Sequence, residues 1–191
     1  LSNGFVYDDS SQIVDNPWIK DIRYLPEIFS KSVWDFEGRH SNYYRPLMHS
    51  INMLSYHLFG LASWGYHAVS ILLHAGVSVL VFLITSRLLS LSRPQMFTSV
   101  LTPSLLAALL FALHPIHTEA VAWAAAMPEL SFTVFCLLSL YCYMRSLSEH
   151  HAVSYNGRFF LSLGSFFLAS LCKETALTLP VILMAYDYAF R

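Results

Sequence analysis

Charge is scarce in this chain: 12% of its 191 residues are Asp, Glu, Lys or Arg, against about 25% in an ordinary soluble domain. That shortage argues against a freely soluble globular protein. A basic block is also missing, and net charge is close to zero at −1, so nothing supports binding to a nucleic-acid backbone. Cysteine is limited to Cys136, Cys142 and Cys172, none of them in the polar N-terminal region, and their spacing makes neither a disulfide framework nor a zinc site. No glycine-rich nucleotide loop, Walker loop or nucleophile elbow occurs. None of Asn3, Asn16, Asn42, Asn52 and Asn156 stands in an N-x-S/T context.

What is present is apolar surface. Hydrophobic residues make up 55% of the chain and the mean hydropathy is +0.50, values that point to an all-α polytopic membrane protein. The charges crowd at one end. Residues 1–45 hold seven acids (Asp8, Asp9, Asp15, Asp21, Glu27, Asp35, Glu37) and five bases, whereas the remaining 146 residues hold five acids and six bases. The expected division is therefore a polar segment, 1–62, with short interfacial helices, followed by a transmembrane helical region, 63–191. A chain that begins at Leu1 and stops at Arg191 directly after an apolar run reads as an excerpt of a longer protein. A membrane helix is expected ahead of it, since a polar segment on the far side of a bilayer needs a route there.

Along the chain, residues 21–39 mix Leu25, Ile28, Phe29, Val33, Trp34 and Phe36 with charges, the pattern of short amphipathic helices at an interface. Asp15-Asn16-Pro17 signals a turn or a helix start. The segment from Pro46 to about Phe59 is too polar for a span, with Asn52 and His57 inside it, and Gly60 ends it. Tyr66–Leu89 has the roughly 20 apolar residues that a hydrocarbon core demands, and Ser90–Thr98 is the expected turn-around. Val100–Leu113 and Phe159–Leu171 are short apolar runs that stop before charged or imidazole-bearing tips. Ile116–Met144 reads as a helix opening at Thr118-Glu119 and interrupted at Pro128, and 175–190 returns through Pro180. This alternation places Arg87, Arg93, Arg145, Arg158 and Arg191 on one side, the cytoplasmic one by the positive-inside rule. The N-terminal segment, His114–Glu119 and Lys173-Glu174 then share the other side, where a polar cavity tolerates non-helical backbone.

The polar residues on that side are the candidates for chemistry. Adjacent carboxylates, Asp8 and Asp9, can divide the roles of base and orienter, or form an ordinary acidic turn. His114, His117 and Glu119 in "LHPIHTEAV" suit hydrogen bonding to a phosphate or sugar, a structural polar network, or a helix opening. Pro115 between the histidines is unlike a zinc-binding pair, so no metal site is assigned. Glu129, inside an apolar region, needs a partner or water. Lys173-Glu174 raises the same question, and Lys173, the sole lysine after position 31, can neutralise a lipid-linked phosphate or snorkel to the interface. Arg45, before Pro46, offers a planar fork of donors to a phosphate, or pairs with a nearby acid. His49, His57, His67 and His74 read as interfacial or interhelical hydrogen-bonding groups.

The pieces "FVYDDSSQIVDNPWI", "YYRPL", "HAVSILLH", "ALLFALHPIHTEAVAW" and "CKETALTLPVILMAYD" occur in an order that resembles the transmembrane and tetratricopeptide-repeat-containing O-mannosyltransferases. These form a branch of the GT-C glycosyltransferases, and the match covers most of the chain. The resemblance implies a multi-pass enzyme of the endoplasmic reticulum membrane with a GT-C-like helical bundle and residues 1–62 luminal. It would move mannose from a dolichyl-phosphate-linked donor to Ser or Thr hydroxyls of luminal acceptor proteins, with inversion. Asp8 and Asp9 take the places of the family's paired acids, with Asp8 favoured as base. Arg45, His114, His117, Glu119, Glu129, Lys173 and Glu174 are then the groups assigned to donor phosphate or sugar. No cofactor is required, a divalent cation lacks ligand spacing to support it, and tetratricopeptide repeats would lie beyond Arg191. One departure stands out. Many members carry Gly-Arg before the position of Glu129, where this chain has "AAAMPELS". The competing readings are a non-catalytic membrane scaffold that keeps the fold and a transporter in which Glu129, Lys173 and Glu174 carry ions or substrate.

Overall fold

The computed structural model describes residues 3–92, 97–147 and 155–190. Arg93, Arg191 and most of the polar loop expected at 146–158 lie outside the described residues. Among the described residues eight α-helices run α1 Leu25–Ser30, α2 Pro46–Phe59, α3 Ser63–Ser92, α4 Phe97–Leu113, α5 Thr118–Ala122, α6 Met127–Ser146, α7 Gly157–Cys172 and α8 Leu179–Phe190, with 3₁₀ and π turns between them. The described residues contain no β-strand, and the chain is an all-α membrane fragment.

Helix α3 is 30 residues long, about 45 Å at 1.5 Å per residue, more than the roughly 30 Å of a bilayer core. It and the stretch Ala124–Ser146 are long and apolar enough to cross a membrane. Val100–Leu113 and Pro115–Ala122 make a third span only if taken together across their 46° bend. The helix α7 remains short, as its sequence implies. Helix α3 packs on α4 and α6, and α6 packs on α7. The C-terminal ends of α3, α6 and α8 meet in one apolar cluster around Ile84, Met144 and Tyr186. Arg145 and Arg158 lie at that same end, where an Arg158 guanidinium nitrogen donates to the Arg145 carbonyl oxygen at 3.3 Å.

The polar N-terminal segment folds against the opposite end of the bundle. Its Ile13, Trp18 and Ile19 are buried with Ile28, Met53, Tyr66, Ala124 and Met127 in a second cluster. Small residues at Ala124–Ala126 give the segment room to seat. Helix α2 starts with Pro46, whose missing N–H costs nothing there. It ends at Gly60, whose φ of +60° suits glycine. A Cβ on Gly65 would meet the Phe59 ring at 2.3 Å, so glycine is needed where α3 turns back on α2.

Several boundaries differ from the sequence reading. Helix α3 extends three residues beyond each expected end, since Ser63 and Ser90–Ser92 cost little in a helix that packing sustains. Pro17 starts no helix; the Asn16 side chain instead accepts the Trp18 amide at 2.9 Å and closes a turn. The interruption expected at Pro128 falls at Trp123, whose φ of −102° and ψ of 117° are extended. Pro128 sits in the first turn of α6, where proline is tolerated.

His49 of α2 pins this segment. Its buried ring accepts the Asn16 amide at Nδ1 and donates from Nε2 to the Val33 carbonyl oxygen, both at 3.2 Å. Burial pushes its pKa down to about 4, against the raising effect of the Val33 bond. A folded value below the unfolded one means that the contribution to stability is complete above about 6.5. It is lost as pH falls from there through about 4. Thermal melting of the protein should therefore show a loss of about 2 kcal/mol between pH 7 and pH 5. His49→Gln, which cannot titrate, should flatten that dependence; an unchanged slope would assign the acid sensitivity elsewhere.

Candidate functional site

The doubled acid sits on a turn with an unusual backbone. Tyr7 has a φ of +49°, a region that a tyrosine occupies only when its surroundings enforce it. The enforcing contacts come from Asp9, which is fully buried. One of its carboxylate oxygens accepts the Val6 amide at 3.0 Å and the other the Ala125 amide at 2.7 Å. Val6 lies on the same turn, whereas Ala125 lies in the 3₁₀ turn that precedes α6. Because Trp123 breaks the helical ladder, the Ala125 N–H has no helical partner, and Asp9 caps it from 116 residues away. Burial raises the Asp9 pKa, and the two amide donors act in the opposite direction.

Asp8 is turned outward. Its side chain is exposed and makes no hydrogen bond or ion pair among the described residues. It lines a cavity of about 340 Å³ together with Gln12, Arg45, Glu119, Trp123 and Glu129. Lys173-Glu174 reaches the same place from the end of α7. Lys173 pairs with Glu129. Glu174 accepts the Arg45 guanidinium at 2.7 and 3.2 Å, Nη2 to one oxygen and Nε to the other. That bond holds the Glu174 carboxyl below its usual range. Arg45 also lies over the Tyr43 ring, 4.9 Å from its centroid. One dipeptide thus ties α6 and the segment before α2 to the end of α7.

The site residues singled out in the sequence separate into two groups. Asp8, Arg45, Glu119 and Glu129 share the polar cavity, with Lys173 and Glu174 attached through ion pairs and Asp9 behind the wall. His114 and His117 line a neighbouring cavity of about 360 Å³ together with His74. Their ring centroids are 6.2 Å apart, and that of His117 is 4.2 Å from Phe111. The described residues contain no cluster of three or more His, Cys, Asp or Glu able to hold a metal ion. The histidines of α2 and α3 act as hydrogen-bonding groups. His57, His67 and His74 each hold a backbone carbonyl oxygen, those of Met53, Asn3 and Ala112, at 2.8 to 3.2 Å.

Trp123 and Gln12 went unnoticed as site residues in the sequence. The cue for Trp123 was a large aromatic between two stretches of alanine, "AVAWAAA", where a helix gains nothing from it. The strain at Tyr7 has no cue, because tyrosine does not favour positive φ.

No family model and no solved structure matches the chain. Curated proteins do. Protein O-mannosyl-transferase TMTC4 of Homo sapiens is 34% identical over 195 residues, covering 96% of this chain and 26% of that protein. Protein O-mannosyl-transferase TMTC3 of Mus musculus is 35% identical over 187 residues, covering 96% of this chain and 19% of that protein. Protein O-mannosyl-transferase Tmtc1 of Drosophila melanogaster is 35% identical over 182 residues, with 93% and 20% covered. The chain spans about a fifth to a quarter of the length of these relatives. With identity of this degree running through nearly all of its residues, the chain belongs to the TMTC family of protein O-mannosyl-transferases.

Proposed function

We propose that this chain forms the donor-binding and acceptor-activating part of a membrane protein O-mannosyltransferase. The observation that carries the reading is the shared cavity: the unpaired Asp8 carboxylate and the Arg45 guanidinium line one polar chamber, on a turn that Asp9 locks. The donor is dolichyl-phosphate mannose and the acceptor a Ser or Thr of a luminal protein segment. Asp8 takes the hydroxyl proton as the acceptor oxygen attacks the anomeric carbon. The bond from that carbon to the phosphate oxygen breaks, its electron pair leaves with dolichyl phosphate, and a single displacement inverts the centre. Arg45, with Lys173 behind Glu129, supplies positive charge to the leaving phosphate. These two cations stand in for the arginine that many members carry before the position of Glu129. The phosphate leaving group provides the drive, so no nucleotide is consumed. Residues 1–62 then face the lumen of the endoplasmic reticulum and 63–191 form the membrane region.

The test is transfer of labelled mannose from dolichyl-phosphate mannose to Ser/Thr peptides by the natural full-length protein. Transfer that needs this donor and inverts the sugar supports the reading. No transfer from several lipid-linked sugars, with solute flux across vesicles, would replace it with the transporter reading.

The Arg45–Glu174 pair adds a prediction with an unusual sign. A fork–carboxylate pair has the geometry of a fork–phosphate pair, so Glu174 occupies the donor phosphate's place on Arg45. Glu174→Gln should lower the donor KM about two- to fivefold, whereas Arg45→Lys should raise it about tenfold. A raised donor KM in Glu174→Gln would make the carboxylate a ligand of the sugar instead.

A further inference from the structure

Asp8, Glu119 and Trp123 line not one cavity but two. On one side lies the polar chamber already described. On the other lies a larger cavity of about 600 Å³, completed by Val6, Tyr7, Thr118 and Ala122. These three residues are the only lining shared by the two, and of the three only Trp123 is large and uncharged. The indole stands where α5 breaks, held by the extended backbone at position 123. Its Nε1–H is buried and has no hydrogen-bond partner among the described residues.

The two chambers share the Asp8 and Glu119 carboxylates and differ in their cations. The polar one carries Arg45, with Lys173 attached through Glu129. Among the described residues no cation lines the larger one: its charged groups are the Asp8 and Glu119 carboxylates, set among apolar and aromatic walls. An anionic phosphate there would meet two uncompensated negative charges. A neutral, apolar chain bearing a hydroxyl meets no such penalty, and its hydroxyl can reach the Asp8 carboxylate from this side. Two of the walls, Val6 and Tyr7, come from the polar N-terminal segment rather than from a span. A polyprenyl tail, by contrast, needs walls made of membrane-spanning helices.

We propose that the larger cavity is the acceptor subsite, which takes the apolar residues flanking the acceptor Ser or Thr, and that Trp123 is a specificity-determining partition between acceptor and donor. The assignment rests on the transferase reading given above. The indole N–H, unpartnered among the described residues, is a donor for a peptide carbonyl.

The experiment uses the natural full-length protein with a photo-crosslinking amino acid at Val6, which lines the larger cavity and not the polar one. The probes are a Ser/Thr peptide with apolar flanks and a polyprenyl phosphate. The peptide should crosslink and be competed by unlabelled peptide, not by polyprenyl phosphate. Crosslinking of the polyprenyl phosphate, or of neither probe while wild-type transfer persists, overturns the subsite and leaves the transferase reading standing. Peptide crosslinking without any transfer in the wild type keeps the subsite and removes the catalytic reading. In kinetics, Trp123→Ala should raise the acceptor KM about tenfold or more and the donor KM less than about threefold. Trp123→Phe, which keeps the wall and removes the N–H, should give a smaller rise, again in the acceptor KM alone. Equal rises in both constants would reduce Trp123 to a structural support.

Discussion

Asp8→Asn is expected to lower mannosyl transfer by about 10²- to 10⁴-fold, the range that a positioned general base contributes, with the melting temperature unchanged. Both halves of this expectation come from where the side chain stands. Asp8 is exposed, makes no hydrogen bond or ion pair among the described residues, and lines two cavities at once. Nothing in the fold depends on its charge, so the amide disturbs no packing and relieves a little repulsion on the neighbouring Asp9. The acceptor hydroxyl, however, loses the only unpaired acid of the doubled pair. Glu119 lines the same two cavities and is the competing base. Transfer rates of Asp8→Asn and Glu119→Gln, measured at saturating donor and acceptor, decide between them. Full activity in folded Asp8→Asn with collapse in Glu119→Gln would move the role to Glu119.

The adjacent residue should behave in the opposite way. Asp9→Ala is expected to destabilise the protein by about 1–3 kcal/mol, the cost of a buried unpaired donor, since it strands the buried Ala125 amide, whereas the amide of the exposed Val6 can turn to water. The loss should be local at first. Without the carboxylate the turn keeps only backbone support, such as the Asp9 N–H to the Val6 carbonyl oxygen at 3.0 Å, so the positive φ at Tyr7 is less well held and the turn that aims Asp8 relaxes. Hydrogen exchange at Val6 and Ala125 should accelerate together, although 119 residues separate them, because one side chain protects both. Transfer should fall as a consequence of the misplaced Asp8, and low temperature should restore part of it, which it would not do for a lost base. Slow exchange at Ala125 in Asp9→Ala would mean that the cap is dispensable.

Two neighbouring aspartates are therefore assigned opposite work, one in the solvent of the chamber and one in the core. The dipeptide contains no sign of which is which. The difference arises from Trp123, which breaks the helix between α5 and α6 and leaves the Ala125 amide in need of an acceptor. Pro128 looked like the breaking residue in the sequence because proline is the usual cause of interrupted helices. Its place in the first turn of α6 shows instead why the helix starts where it does. The ion pairs were hidden for a similar reason. Arg45 and Glu174 are 129 residues apart, and their pairing depends on α7 returning to the site end of the bundle.

Other features needed no tertiary information. The apolar runs of α3 and α6, the polar N-terminal segment, the end of α2 at Gly60 and the family membership were all readable from residue order. Hydropathy over a span, a glycine at a positive φ and a string of family motifs are local properties, and each acts through residues close together in the chain. Residue order alone specified an all-α membrane chain of the TMTC family and marked which polar residues are candidates for its chemistry. Packing in three dimensions sorts those candidates: Asp8 open and Asp9 buried, Arg45 and Lys173 each held by an acid, His114 and His117 in a cavity of their own, and Trp123 between two chambers. The physical reason is that burial and pairing belong to positions in space, and residues more than a hundred apart are brought to them by helix packing that no local pattern encodes.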